Sequence, residues 1–168
     1  MLMKSKQKVL AAFVQETVSA LQQVFDEEII VDDEFQDKVE EFHFKGYAVV
    51  MNTQGNIKGR ILIHHYIETA IEIGNRILAK TAPGRVKSTV MDDEISNALA
   101  GFALQVVEPA VNKLNESEID LQFSQAYFIS DTSKMSHLLE DVADIITVPI
   151  RIDNVGRLYL NYLLHEGM

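Results

Sequence analysis

Gly59-Arg60-Ile61-Leu62-Ile63 and Gly156-Arg157-Leu158-Tyr159-Leu160 are the two stretches whose reading decides the fold. Each opens the return strand of an expected hairpin. In the first hairpin Phe42 to Met51 runs into Asn52-Thr53-Gln54-Gly55-Asn56, and the chain returns as Ile57 to His64. Gly and Asn in that turn supply the positive-φ positions a hairpin needs. In the second, Ile145 to Ile152 and Arg157 to Leu164 close over Asp153-Asn154-Val155-Gly156.

Outward from each hairpin the same order of elements recurs. Leu10, Phe13, Val14, Thr17, Val18, Leu21, Val24 and Phe25 fall at helical spacing, which predicts a long first helix over 8–25. A second long helix is expected from about Asp92 to Asn115, with Thr89 and Asp92 as its cap and Pro109 ending its first part or kinking it. A short apolar run follows each helix. Glu28 to Val31 is broken by Asp32-Asp33-Glu34, and Ile119 to Phe123 continues towards Ile129. Ile67 to Leu78 is helical by period, with Ile67, Ala70, Ile71, Gly74 and Ile77/Leu78 facing inward, and ends at Pro83-Gly84. A short helix is expected around Lys134 to Leu139. Helix, strand and long hairpin thus occur twice. The expectation is an α+β fold and a single domain over 1–168: a two-layer α/β sandwich with a largely antiparallel sheet, long helices on one face and a pseudo-twofold internal repeat.

Composition narrows the function. The net charge of −10 and the scattered Lys and Arg argue against binding a nucleic-acid backbone. No apolar run approaches a membrane span, so no membrane insertion is expected. Met1 to Lys8 leads into an amphipathic helix pattern instead of a signal-peptide apolar block. With no Cys there are no disulfides or thiolate metal sites, which fits a reducing compartment; the expected location is the cytoplasm.

Asp92-Asp93-Glu94-Ile95-Ser96-Asn97-Ala98-Leu99-Ala100-Gly101 carries the candidate site. On a helix Glu94, Asn97 and Gly101 share one stripe, which Gln105 and Glu108 extend. Ile95, Leu99, Phe102 and Val106 line the other side. Asn and Gly together cost a helix roughly 1–2 kcal/mol against Ala, so a face that needed only solvation is cheaper without them. The stripe reads as a surface shaped for a partner. The same Glu-x-x-Asn spacing recurs at Glu72 and Asn75, so the bare pair is a weak signal. That second pair leads to Arg76, Ile77, Leu78 and Ala79, without the small residue, and reads as structural or solvent-facing.

The remaining polar residues read blandly. His64 and His65, with Glu68 nearby, sit on a strand where neighbours point to opposite faces, so no metal site is assigned. His43, His137 and His165 have no partner pattern, and Met51, Met91 and Met135 read as packing. No Gly-rich phosphate loop, nucleophile elbow or thiol nucleophile is present.

Glu94-x-x-Asn97-x-x-x-Gly101 on the second long helix, the two hairpins and the length together resemble the CheX phosphatases of the CheC-like superfamily. The resemblance covers nearly the whole chain as element order, with residue-level specificity concentrated in that helix. It implies a phosphatase that removes the phosphoryl group from the phospho-aspartate of a CheY-type response regulator in chemotaxis. Glu94 and Asn97 are then the catalytic pair, and Gly101, Asp93 and Gln105 are partner-binding residues. The chain needs no metal or cofactor of its own, because Mg²⁺ is held by the phosphorylated regulator, and a homodimer is implied. CheC proteins carry two such sites and CheX proteins one. Here the first helix reads Glu16-Thr17-Val18-Ser19, with Ser19 in the amide's place, which points to the single-site pattern. Four residues before the Glu, where the family often has Asp or Ser, this chain has Val90. The rival reading is a non-catalytic protein-interaction module of the same fold, as in the flagellar switch proteins. A more distant one is a small-molecule sensor using a cavity between helices and sheet.

Overall fold

Strand segments such as Tyr47-Ala48-Val49-Val50-Met51 and Ile61-Leu62-Ile63 are apolar at every position, so both faces of the sheet they join must be covered. The computed structural model, which describes residues 2–42, 46–55, 58–117, 119, 121–124, 127–129 and 135–165, covers both. The elements in chain order are α1 (Leu2–Val24), β1 (Ile29–Val31), β2 (Phe35–Asp37), a single 3-10 turn at Val39–Glu41, β3 (Gly46–Gly55) and β4 (Gly59–Tyr66). They continue as α2 (Ile67–Thr81), α3 (Asp93–Glu116), β5 (Leu121–Phe123), β6 (Tyr127–Ile129), α4 (Met135–Leu138), β7 (Val142–Ile152) and β8 (Gly156–His165). One eight-stranded sheet runs in the order β1-β7-β8-β4-β3-β5, with β2 also on β7 and β6 also on β3. Every pairing is antiparallel.

The repeat is expressed in the hydrogen-bond register. β4 and β8 are the central pair, and Ile63 faces Leu160 there. These two residues are separated in sequence by the same interval as Gly59 and Gly156, so a local twofold axis passes between them. The short strands obey the same symmetry. Ile29 pairs with Ile152 as Leu121 pairs with Gly55, and Val31 pairs with Ile150 as Phe123 pairs with Thr53. Each half therefore lends its short strands to the other half's hairpin, and the halves interlock.

Alternation divides the core. Tyr47, Val49, Met51, Ile61, Ile63, Leu158, Leu160, Tyr162 and Leu164 face the helices and join Phe13, Leu21, Ile73, Ile95, Leu99, Phe102 and Val106 in the main core. Ala48, Val50, Leu62, Ile145 and Leu163 point the other way, under Phe42, Ile129 and Leu138. Gly74 in α2 lets α3 approach: a Cβ there would lie 2.8 Å from Ile95 Cγ2.

Several boundaries differ from the sequence expectation. α1 starts earlier than residue 8. β2 follows the acidic break unannounced, because three residues flanked by acids leave no readable period. β3 runs on through Asn52 to Gly55, with Asn52 laddered to Arg60, so the reversal is tighter than expected. The stretch from Ile119 to Ile129 is not one strand but two, β5 and β6, on one edge of β3. α2 turns Thr69, Ala70, Ile73, Gly74 and Asn75 inward, and Ile71 sits at the margin. Pro109 does not end α3, which is continuous from Asp93 to Glu116. The carbonyl it deprives of a partner belongs to Gln105, an exposed residue. His43, Phe44, Lys45, Asn56, Ile57, Asp120 and Lys134 lie outside the described residues.

His64 and His65 point to opposite faces as expected. His64 packs between Phe42 and Tyr159. His65 lies under the helices, stacked on Tyr47 at 5.8 Å, and its Nδ1 is buried without a partner. Burial there depresses its pKa to about 3, with the neighbouring His64 adding to the effect. The folded state thus holds His65 neutral, while the unfolded chain takes up its proton near pH 6.5. The stability this residue withholds is therefore lost as pH falls from 6.5 towards 3. We expect denaturant titrations at pH 6.5 and 5.0 to show an acid loss in wild type larger than in His65→Phe by about 1–2 kcal/mol. Equal losses in the two proteins would contradict a neutral buried His65.

Candidate functional site

The start of α3 is fixed by a side chain from α2. Asn75 is only 4% exposed. Its Nδ2 donates to Ser88 O at 2.9 Å, and its Oδ1 accepts from Ser88 N at 2.9 Å. One amide thus closes a two-bond ring on the backbone of the α2–α3 loop. Ser88 Oγ in turn donates to Asp92 Oδ2 at 2.7 Å, and Asp92 Oδ1 accepts from Ile95 N at 2.9 Å. Asp92 is the N-cap of α3, and the bonds from Ser88 and Ile95 hold its carboxyl below the usual carboxylate range. The cap is therefore Asp92 supported by Ser88, and Thr89 is exposed.

From this anchored start the helix presents the expected stripe. Asp93, Glu94, Asn97, Gly101, Gln105 and Glu108 are all exposed, and Ile95, Leu99, Phe102 and Val106 are buried. Asp93 and Glu94 also sit in the first turn, where negative charge favours the helix dipole. That dull reason does not extend to Asn97 or Gly101. The Asn97 side chain makes no hydrogen bond among the described residues. A Cβ on Gly101 would meet nothing within 4 Å, so nothing in this chain requires a glycine there. Leu104 is 49% exposed on the same face, and Val90, ahead of the cap, is 64% exposed. An acid, a free amide, a gap and flanking apolar side chains therefore share one open surface.

Among the described residues the Glu94 carboxylate has one side-chain partner. Its Oε2 accepts from Arg85 Nη2 at 3.2 Å, with Glu94 70% and Arg85 17% exposed. Arg85 was not anticipated, because nothing in the sequence links a loop arginine to a carboxylate nine residues on. Beneath the helix Tyr47 donates its hydroxyl to Ser96 Oγ at 3.4 Å, beside Asn97.

The second Glu-x-x-Asn pair is structural, as read. Glu72 accepts from Arg76 at 2.9 Å, and Asn75 is the loop anchor just described. The proposed counterpart at Glu16 and Ser19 is not the equivalent position. Val9, Leu10, Phe13, Thr17 and Leu21 are buried in α1 at the same intervals as Phe102, Ala103, Val106, Ala110 and Leu114 in α3. That match sets residues 1 and 4 against Glu94 and Asn97. Glu16 instead makes an ion pair with Lys113 across the α1–α3 seam.

No family model matches this chain, and no curated protein matches it by sequence. Solved structures do. A CheC-like superfamily protein from Shewanella sp. PV-4 superposes with a TM-score of 0.73 at 15% identity, over 93% of this chain and 96% of that one. CheX from Borrelia burgdorferi, in a complex with CheY, BeF3 and Mg²⁺, gives 0.66 at 18% identity over 94% and 97%. The FliM middle domain from Vibrio alginolyticus gives 0.66 at 10% identity over 95% and 93%. The chain has the CheC-like fold. Within that fold its structure is similar to that of CheX, as the sequence resemblance anticipated.

The two asparagines separate anchor from surface. Asn75→Ala is expected to lower the unfolding free energy by about 1–3 kcal/mol, since it strips partners from half-buried backbone groups. Asn97→Ala is expected to change it by less than about 0.5 kcal/mol. Denaturant titration of the two variants checks both, and a large loss from Asn97→Ala would mean that the exposed amide supports the fold.

Proposed function

We propose that this chain is a CheX-type phosphatase that hydrolyses the phospho-aspartate of a CheY-type response regulator in chemotaxis or related two-component signalling. One observation carries the reading: Asn97 offers an exposed side-chain amide with no hydrogen bond among the described residues, between Glu94 and an unfilled Gly101, on a helix of the CheC-like fold. The CheX complex with CheY supports a partner of that class.

The chemistry suits those residue types. A phospho-aspartate is an acyl phosphate and already reactive, so its hydrolysis depends mainly on positioning and charge. Water attacks phosphorus in line with the departing aspartyl carboxylate; a new P–O bond forms as the old one breaks. An amide both donates and accepts, so Asn97 orients that water without taking its proton. Glu94 pairs with the regulator's active-site lysine and sets the register of docking. Gly101 lets the two backbones close, and Asp93 and Gln105 border the contact. Val90 and Leu104 add apolar area around it. The Mg²⁺ stays on the regulator, and this chain contributes no cofactor. No helix among the described residues is long and apolar enough to cross a membrane, which suits a partner met in the cytoplasm. A homodimer through the sheet edges is part of the proposal, because β1, β2, β5 and β6 end the sheet with outer edges that no described strand pairs.

The likeness to the FliM middle domain favours a second reading, a binding module without catalysis. The decay of a phosphorylated receiver domain separates the two. Wild-type protein is expected to accelerate decay, and Asn97→Ala to reduce that acceleration by about 100-fold, the scale of a lost positioning group. Binding without acceleration would select the module. Acceleration that survives Asn97→Ala would keep a phosphatase and reject this mechanism.

A further inference from the structure

We propose that Arg85 is a positioning residue for Glu94: it clamps one carboxylate oxygen and leaves the other for the ammonium of the receiver's lysine. The inference rests on the docking role given to Glu94 above, and it explains an ion pair which that role leaves unaccounted for.

Arg85 is not an ordinary surface cation. Its Nη1 donates to Asn75 Oδ1 at 3.1 Å, and its Nη2 reaches both Ser88 Oγ at 3.3 Å and Glu94 Oε2 at 3.2 Å. Two of these three partners belong to the loop anchor, so the guanidinium is held before Glu94 is considered. Exposed ion pairs contribute little, because two long side chains must be ordered together. Here only Glu94 remains to be ordered. The planar guanidinium directs its donors at a fixed angle, which a lysine in the same place would not.

The geometry leaves capacity for a second cation. Glu94 Oε1 has no hydrogen bond among the described residues, and an ionised carboxylate accepts at about four lone-pair positions. A carboxylate already fixed in one rotamer meets an incoming ammonium without a further ordering cost, which favours docking and not the chemical step. Arg85 therefore acts on affinity. Asn97, one turn along the helix, acts on turnover.

Two measurements test this. In the free protein, side-chain coupling constants of Glu94 by NMR are expected to report one dominant χ1 rotamer in wild type and averaging in Arg85→Ala, with partial order in Arg85→Lys. Averaging already present in wild type would overturn the clamp, whatever the protein does to receivers. In the decay assay with a phosphorylated CheY-type receiver, Arg85→Ala is expected to raise KM about 3- to 10-fold with kcat unchanged. In a Glu94→Gln background the same substitution is expected to add nothing further. An equal rise in that background would make Arg85 a loop support only, and a lowered KM would make it a competitor of the receiver's lysine; either overturns the proposal. A wild type that does not accelerate decay rejects the proposed function, while the NMR result still decides the clamp.

Discussion

The amide of Asn75 is the constraint on which the candidate site depends. Buried in α2, it satisfies both backbone groups of Ser88 and so converts the loop between α2 and α3 into a fixed strut. Everything that defines the site hangs from that strut. Ser88 orients Asp92, Asp92 caps α3, and Arg85 reaches Glu94 from the same loop. Gly74, one residue earlier in α2, brings the two helices close enough for the strut to span. A buried amide whose oxygen and nitrogen both find partners is a stable anchor, whereas one with neither would cost free energy. Sequence and site are thus joined by a residue that never touches the proposed partner.

The sheet explains why the helix is held so firmly at its other contacts. Each half gives its short strands to the other half's hairpin, with matching register. The twofold arrangement lays α1 and α3 side by side over one face, and α3 contributes Ile95, Leu99, Phe102 and Val106 to the main core. One side of α3 is consumed by packing and the opposite side is exposed. The symmetry of the frame does not make Glu16 a second site, because Glu16 lies elsewhere on α1 and is committed to an ion pair with Lys113.

Much of this was legible in the sequence, and for physical reasons. The paired Gly-Arg stretches marked the hairpins, since apolar runs flanked by turn residues carry a strong period. The α3 stripe was legible because Asn and Gly are costly on a helix, and the structure gives neither an internal use. What escaped was whatever depends on distant contacts. β2 has three residues and no period. Arg85 meets Glu94 only because a buried asparagine folds the loop. The inward face of α2 differs from the expected one, because Thr69 and Asn75 are polar and an apolar period does not count them. The Glu16–Ser19 equivalence failed because similar spacing says nothing about helical phase relative to the core. Pro109 was read as ending or kinking the helix, but α3 runs through it, and the carbonyl it deprives of a partner belongs to exposed Gln105.

The central claim is that the open stripe of α3 is the surface met by a phosphorylated receiver domain. Gly101→Arg tests it most directly, because a Cβ there meets nothing within 4 Å among the described residues and a long side chain fills the gap a partner would need. The account predicts a melting temperature no lower than that of wild type, since Arg is the better helix former, together with loss of accelerated receiver dephosphorylation. A variant that melts as wild type and still accelerates decay in full would contradict it.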